Sequence, residues 1–313
     1  RAYVYSGATG GLLWKLIPPA ATLNQHFGAA VAGIPDVNGD GRGDIAVGAP
    51  DETYTGSPVN AGRVHIYSGA TGLRLYTITA PTPTLRNFFG GSVAGLADVN
   101  GDGRGDIVVG SPETDIGLTT GRPGHAYIFS GATGALLRTL SSPANQADGG
   151  FGWSVAAVPD ANGDGKPDVV VGSPFENPGA SPLDCGRANL YSGVTGALLY
   201  KFLPPAATAN GRFGWSVSGV ADITGDARGD VVIGEPGVGG GRAHMYNGAT
   251  GVRLDTRASV YPEAGGGFGF SVGGTVDLSG NGRGDVIVGA WKENPVTAPT
   301  PPTDAGRAYI LRK

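Results

Sequence analysis

The sequence predicts an all-β fold, a β-propeller of four-stranded blades. Three observations carry that reading. A unit of about 62 residues recurs, apolar residues alternate with period two inside it, and glycines return at fixed turn positions. Glycine (58) and proline (23) are abundant among the 313 residues, and because the glycines are periodic they read as dense turns rather than low complexity. Hydrophobic residues make up 40%, enough for a real core, and charged residues only 15%. The net charge of −4 and the absence of any basic run argue against a nucleic-acid partner. Cys185 is the only cysteine, so no internal disulfide is available. No apolar run has the length of a membrane span, and no signal peptide is present. The chain opens at Arg1 rather than Met, which predicts a processed product whose export signal has gone.

The repeat can be followed element by element. Phe-Gly occurs at Phe27, Phe89, Phe151, Phe213 and Phe268, at intervals of 62, 62, 62 and 55 residues. An aspartate follows nine residues later (Asp36, Asp98, Asp160, Asp222, Asp277) and another eight beyond that (Asp44, Asp106, Asp168, Asp230, Asp285). Within a unit such as Phe151–Val158, "FGWSVAAV" alternates as a half-buried first strand, and "DVVVG" from Asp168 is the continuous β-branched run of a strand buried on both faces. "RANLYSG" and "ALLYKFL" flank Ser-Gly-Val-Thr-Gly, a glycine-bearing hairpin turn. A sheet this small cannot cover both of its faces alone, so neighbouring sheets must stack as blades. Repeat cores near 27–78, 89–140, 151–203, 213–256 and 268–313, plus 1–17, compose one domain over 1–313. The count gives 21 strands where five blades need 20. Closure by Leu12–Ile17 as the last blade's fourth strand is expected, leaving Arg1–Tyr5 and Arg307–Leu311 in competition for one place.

Phe-Gly, then Asp-x-Asn-x-Asp-Gly-x-x-Asp, then Val-Gly-Ala-Pro resembles the FG-GAP repeat of integrin α-subunit propellers and of bacterial extracellular proteins. Five copies run from Phe27 to the C-terminus, where integrins have seven. Ser111, Ser173, Trp291 and Glu235-Pro236 vary the Gly-Ala-Pro element. The resemblance implies an extracellular binding, adhesion or surface-scaffold module, secreted or on a cell surface, and not an enzyme. Two alternatives stand beside it: a structural subunit of a fibre or lattice joined by its surplus strand, and a polysaccharide-active enzyme.

The repeated acidic loop has the oxygen alternation that wraps a hard cation, with side chains at positions 1, 3, 5 and 9 and a backbone carbonyl at 7. The first loop offers Asp36, Asn38, Asp40, Arg42 and Asp44, the second Asp98, Asn100, Asp102, Arg104 and Asp106, the third Asp160, Asn162, Asp164, Lys166 and Asp168. The fourth offers Asp222, Thr224, Asp226, Arg228 and Asp230, the fifth Asp277, Ser279, Asn281, Arg283 and Asp285. An EF-hand would need a glutamate at position 12, where Val47 stands inside a strand, so these read as β-hairpin calcium loops. Up to five Ca2+ ions are expected, held most strongly by the first three loops and most weakly by the fifth. A metal-free Asx-rich turn is the plain alternative. Arg-Gly-Asp at 42–44, 104–106, 228–230 and 283–285 always places its aspartate at position 9, turned inward and away from any receptor.

Other polar and aromatic positions carry structural expectations. His65, His125 and His244 stand where other copies have Tyr3, Asn189 and Tyr309, which suggests inter-blade packing. Arg1, Arg63, Arg187, Arg242 and Arg307 suggest structural ion pairs. Trp153, Trp215 and Phe270 follow Phe-Gly and are read as core packing in preference to a sugar-stacking stripe. In an up-and-down sheet the calcium hairpins and the Ser-Gly turns share one end. The other end carries the variable loops Asp51–Gly62, Glu113–Gly124, Phe175–Gly186, Gly237–Gly241 and Trp291–Gly306. A protein or glycan ligand is expected on that variable face, with Tyr54, Phe175 and Trp291 as anchors, unless the chain self-associates through its surplus strand.

Overall fold

The computed structural model describes residues 1–19, 25–113, 122–177, 179, 182–294 and 304–311. These contain 21 strands and no helix, and the four-stranded antiparallel sheets are propeller blades. Two compact units result, Arg1–Gly152 and Trp153–Lys313.

The first unit opens with a hairpin of β1 (Ala2–Tyr5) and β2 (Leu12–Leu16). Blade one follows as β3 (Val31–Ile34), β4 (Asp44–Ala49), β5 (Arg63–Tyr67) and β6 (Arg74–Thr79). Blade two is β7 (Ser92–Leu96), β8 (Asp106–Ser111), β9 (His125–Phe129) and β10 (Leu136–Ser141). In the second unit, blade three is β11 (Ser154–Val158), β12 (Asp168–Ser173), β13 (Arg187–Tyr191) and β14 (Leu198–Phe202). Blade four is β15 (Val217–Val220), β16 (Asp230–Glu235), β17 (Arg242–Tyr246) and β18 (Arg253–Ala258). The last sheet has three strands, β19 (Phe268–Thr275), β20 (Asp285–Ala290) and β21 (Arg307–Leu311).

Sequence pattern explains the order of burial. The β-branched second strands β8, β12 and β16 are buried at every residue, while the fourth strands β10 and β14 each bury only one residue. Phe89, Phe151, Phe213 and Phe268 are wholly buried at the head of their blades, each removal from water stabilising by roughly 1.5–3 kcal/mol. Side chains of adjacent blades then interlock. Ile34, Ile66 and Ile78 of blade one pack with Phe89, Ile107 and Phe129 of blade two, and Leu190 and Phe202 of blade three with Phe213 and Tyr246 of blade four. An aromatic residue of one fourth strand also reaches the next blade's turn. Trp14 donates its indole N–H to the Gly69 carbonyl at 2.9 Å, Tyr76 its hydroxyl to Gly131, and Tyr200 to Ala249.

The expected closure by Leu12–Ile17 is not the pairing found. β2 pairs with β1, with Ala2 opposite Leu16, and packs with Phe27, Val47 and Tyr67 of blade one as the outer half of a blade would. β21 pairs with β20, Val286 opposite Leu311, and has no strand on its far side among the described residues. Arg1–Tyr5 and Arg307–Leu311 therefore do not compete. Each stays with its neighbour in sequence, because a short hairpin forms more readily than a pairing across some 300 residues.

Candidate functional site

Each acidic loop joins the first and second strands of its blade, and the first aspartate organises it. In loop one, Asp36 accepts hydrogen bonds from the backbone N–H of Asn38 (3.1 Å), Gly39 (2.5 Å) and Gly41 (2.8 Å). Asp98, Asp160, Asp222 and Asp277 repeat this cradle. Partial desolvation of Asp36 is outweighed by the N–H groups of Gly41 and Gly39 and by the Arg104 guanidinium, so its carboxyl lies below the ordinary range. The N–H groups of Gly282 and Gly280 hold Asp277 low in the same way.

The ninth-position aspartates are buried. Asp44 accepts from the N–H of Val37 (2.9 Å) and Gly69 (3.0 Å), tying the loop to the Ser-Gly turn at the same end of the blade. Asp106, Asp168 and Asp230 make the matching bonds to Gly131, Gly193 and Gly248. Burial pushes Asp106 and Asp230 upward and Asp168 up to about 6. Asp285 Oδ1 is buried with no hydrogen-bond partner, and the residue two beyond β21, where the matching turn glycine would stand, lies outside the described residues.

Buried carboxylates answered mainly by backbone N–H groups (Asn162 Nδ2 also donates to Asp168 at 3.0 Å), beside carboxylates at positions 1 and 5, are a donor set suited to a hard cation. Among the described residues, no three His, Cys, Asp or Glu side chains already converge as a metal centre. The third and fifth positions instead bond one another, Asn38 Nδ2 donating to Asp40 at 3.0 Å, Asn100 to Asp102 at 2.8 Å and Asn162 to Asp164 at 3.0 Å. Thr224 bonds Asp222, and Ser279 likewise Asp277. In loop one the oxygens that would hold such an ion are the side chains of Asp36, Asn38, Asp40 and Asp44 with the Arg42 carbonyl.

In three of the four Arg-Gly-Asp copies the arginine as well as the buried aspartate is engaged within the protein. The Arg104 guanidinium lies 3.7 Å from Asp36 of the previous loop, and that of Arg228 is 2.8 Å from Asp160. Arg283 donates to the Ile223 carbonyl at 3.2 Å. Ala227 occupies the sixth position of loop four at φ +65, where the other loops have glycine. A Cβ is disfavoured there by roughly 1–2 kcal/mol. Ala227→Gly is therefore expected to stabilise the chain by about 1 kcal/mol in denaturant titration; a loss of stability would refute the strain.

Sequence reasoning missed a second polar layer at the opposite end. Glu52, Glu113, Glu176 and Glu293 are buried just after the second strands, at the start of loops expected to be free surface, and Glu235 is buried as the last residue of β16. Glu52 accepts from Arg63 (3.2 Å) and His65 (2.8 Å), Glu235 from His244 (2.8 Å), Glu176 pairs with Arg187 (3.4 Å), and Tyr309 donates to Glu293 (2.7 Å). The histidines thus serve their own blade as partners of a buried carboxylate, besides packing on Phe27 and Phe213. The available signal was a glutamate within three residues of the Gly-x-Pro element. Most of Glu113–Gly124 (114–121) and of Trp291–Gly306 (295–303) lies outside the described residues, as do 178, 180 and 181 of Phe175–Gly186.

The described aromatic anchors sit on this end too. Tyr54 lies under the Arg63 guanidinium at 3.7 Å, and Trp291 is 50% exposed. Trp153, Trp215 and Phe270 do contact one another across blades, yet each is only half-buried, so the expected core role is half met.

Residues 27–67, 89–129 and 151–186 match the FG-GAP repeat. The chain belongs to the FG-GAP repeat family. It is 30% identical to integrin alpha-8 of Gallus gallus over 298 residues, 87% of this chain and 26% of that protein. Integrin alpha-IIb of Mus musculus is 35% identical over 161 residues, 48% of this chain and 15% of its own length. Phosphatidylinositol-glycan-specific phospholipase D of Bos taurus is 33% identical over 200 residues, 60% and 22% respectively. The chain thus spans about a quarter or less of these relatives. No described helix is long and apolar enough to cross a membrane.

Proposed function

We propose that this FG-GAP chain is an extracellular, calcium-stabilised binding module of the adhesion type, with its ligand on the variable-loop end of the blades. One observation carries this reading. At the acidic-loop end the same nine positions recur in five copies with their side chains turned on the protein itself, whereas the opposite end differs in length and sequence from blade to blade. Varied loops on a rigid scaffold are where recognition is placed. Similarity to integrin α-subunits supports an extracellular setting and a protein ligand, and catalysis is not proposed. The buried carboxylates Glu52 and Glu235 are committed to Arg63, His65 and His244, and no turnover of a phosphatidylinositol-glycan is expected.

Retention of the labelled chain on cell surfaces tests this. It is expected to require calcium and to fall on replacing Tyr54 and Trp291 by alanine at unchanged melting temperature. Retention that survives those changes but is abolished by altering Thr9 or Thr71, at the acidic-loop end, would reverse the faces. Among the described residues no strand pairs with the far side of β21, which favours a second reading, self-association by strand addition. That reading requires sedimentation to show concentration-dependent assembly.

A further inference from the structure

The second unit carries a continuous aromatic run at the variable-loop end of its three blades. Trp153 contacts Phe175 (5.2 Å between ring centres) and Trp215 (4.8 Å), Trp215 contacts Phe270 (5.5 Å), and Phe270 contacts Trp291 (5.0 Å). All but Trp291 are half-buried, so the run presents ring surface to solvent rather than sealing a core. Arg212 lies over Phe175 (5.9 Å) and Trp215 (5.4 Å), and Lys292 over Trp291 (4.4 Å). Arg212 has no acidic partner among the described residues, and its Nε is buried without an acceptor. It also holds φ +55 at the position before Phe-Gly, where Gly150 and Gly267 stand in two other repeats and His26 and Phe88 hold positive φ in the first two. A left-handed arginine is sterically disfavoured there, so the backbone gains nothing from it.

Arg212, Trp215, Phe270 and Trp291 line a cleft of about 120 Å3 floored by Gly237, Gly265 and Gly267. We propose that this cleft binds an anionic polysaccharide, a uronate residue laying its pyranose face on the Trp215 or Trp291 ring while its carboxylate pairs with Arg212. The inference rests on the reading of the variable-loop end as the binding face. The cleft is smaller than the roughly 300–1,000 Å3 of an enclosing small-molecule pocket, and its open aromatic flanks suit one unit of a polymer passing over it. Indole faces match the C–H face of a sugar ring, and an unpaired guanidinium supplies a planar fork for a carboxylate. An extended acidic peptide is served less well. Two of the three lining glycines already spend the N–H groups that could zip to it, Gly237 on the Gly211 carbonyl and Gly265 on that of Gly239.

Hyaluronan oligosaccharides are the probe, titrated into the calcium-loaded chain and followed by tryptophan fluorescence and calorimetry, with dextran and poly-glutamate as comparisons. Saturable hyaluronan binding is expected, with dextran bound at least roughly tenfold more weakly and Arg212→Gln costing roughly tenfold or more. Trp291→Ala, at an exposed ring, should weaken binding without altering the melting temperature. No saturable hyaluronan binding, equal binding of dextran, tighter binding of poly-glutamate, or an Arg212→Gln variant that binds like the parent would each overturn the proposal. If hyaluronan fails while cell-surface retention still depends on Tyr54 and Trp291, the uronate site falls and the functional reading stands.

Discussion

Chelating calcium is expected to lower the melting temperature of this chain by several degrees. Fourteen of its 26 acidic residues are concentrated in five loops. With Kd on the order of 10⁻⁴–10⁻³ M, as in extracellular modules, each occupied loop adds roughly 1 kcal/mol at millimolar calcium. Loops one and two, with three aspartates and an asparagine each, would together supply about 2 kcal/mol to the unit Arg1–Gly152, and each kcal/mol moves the midpoint of a unit of this size by about 2–4 °C. Burial supplies the physical reason. Asp106, Asp168 and Asp230 are raised by desolvation, and a cation beside them removes that penalty. Asp40→Ala should weaken calcium binding at loop one more than Asn281→Ala does at loop five, because only the former removes a charge. A melting temperature indifferent to chelator, or the reverse order of the two variants, would leave the loops as Asx turns.

What was legible in the sequence was whatever is set within one blade. Phe-Gly, the nine-residue loop and the Ser-Gly hairpin are local, so a period of two and fixed glycines located all 21 strands. Contacts between blades were not legible, since their partners lie about 60 residues apart and no spacing announces them. Arg104 on Asp36 and Trp14 on Gly69 are of this kind. So is the aromatic run, of which Trp153, Trp215 and Phe270 looked like core because each follows a buried phenylalanine, whereas Phe175 and Trp291 stood in separate variable loops. The buried glutamates were hidden for another reason. All but Glu235 stand at the start of segments of unequal length, and length variation read as free surface although Glu52 is fixed by His65 and Glu176 pairs with Arg187. The N-terminal hairpin was assigned by topology to the last blade, where local pairing with β1 prevails.

Gly172→Ala is expected to be among the most damaging single changes in the chain, and Gly289→Ala nearly harmless. Both glycines occupy the same place in the Gly-x-Pro-type element of second strands, β12 and β20, within the same unit. The difference lies in what stands opposite. A Cβ on Gly172 would lie 2.0 Å from the carbonyl oxygen of Gly214, the Phe-Gly glycine of the next blade, and Gly48, Gly110 and Gly234 face Gly90, Gly152 and Gly269 at the same 2.0 Å. The obstacle is backbone, further fixed by Ser154, whose hydroxyl donates to that Gly214 oxygen at 3.0 Å. The two glycines of the repeat are thus the two sides of one blade-to-blade contact, and relief requires the blades to separate. At Gly289 the nearest atom is Ser271 Oγ at 2.3 Å, the end of a side chain that can rotate, with no backbone closer than 3.8 Å. Overpacking against backbone should cost roughly 3 kcal/mol or more, while Gly289→Ala should stay within about 1 kcal/mol. Denaturant titration of both variants measures the contrast. If Gly172→Ala does not fold, the argument still requires Gly289→Ala to fold and melt like the parent. Equal costs at the two positions would show that the glycines are kept for strand conformation and not for the approach of neighbouring blades.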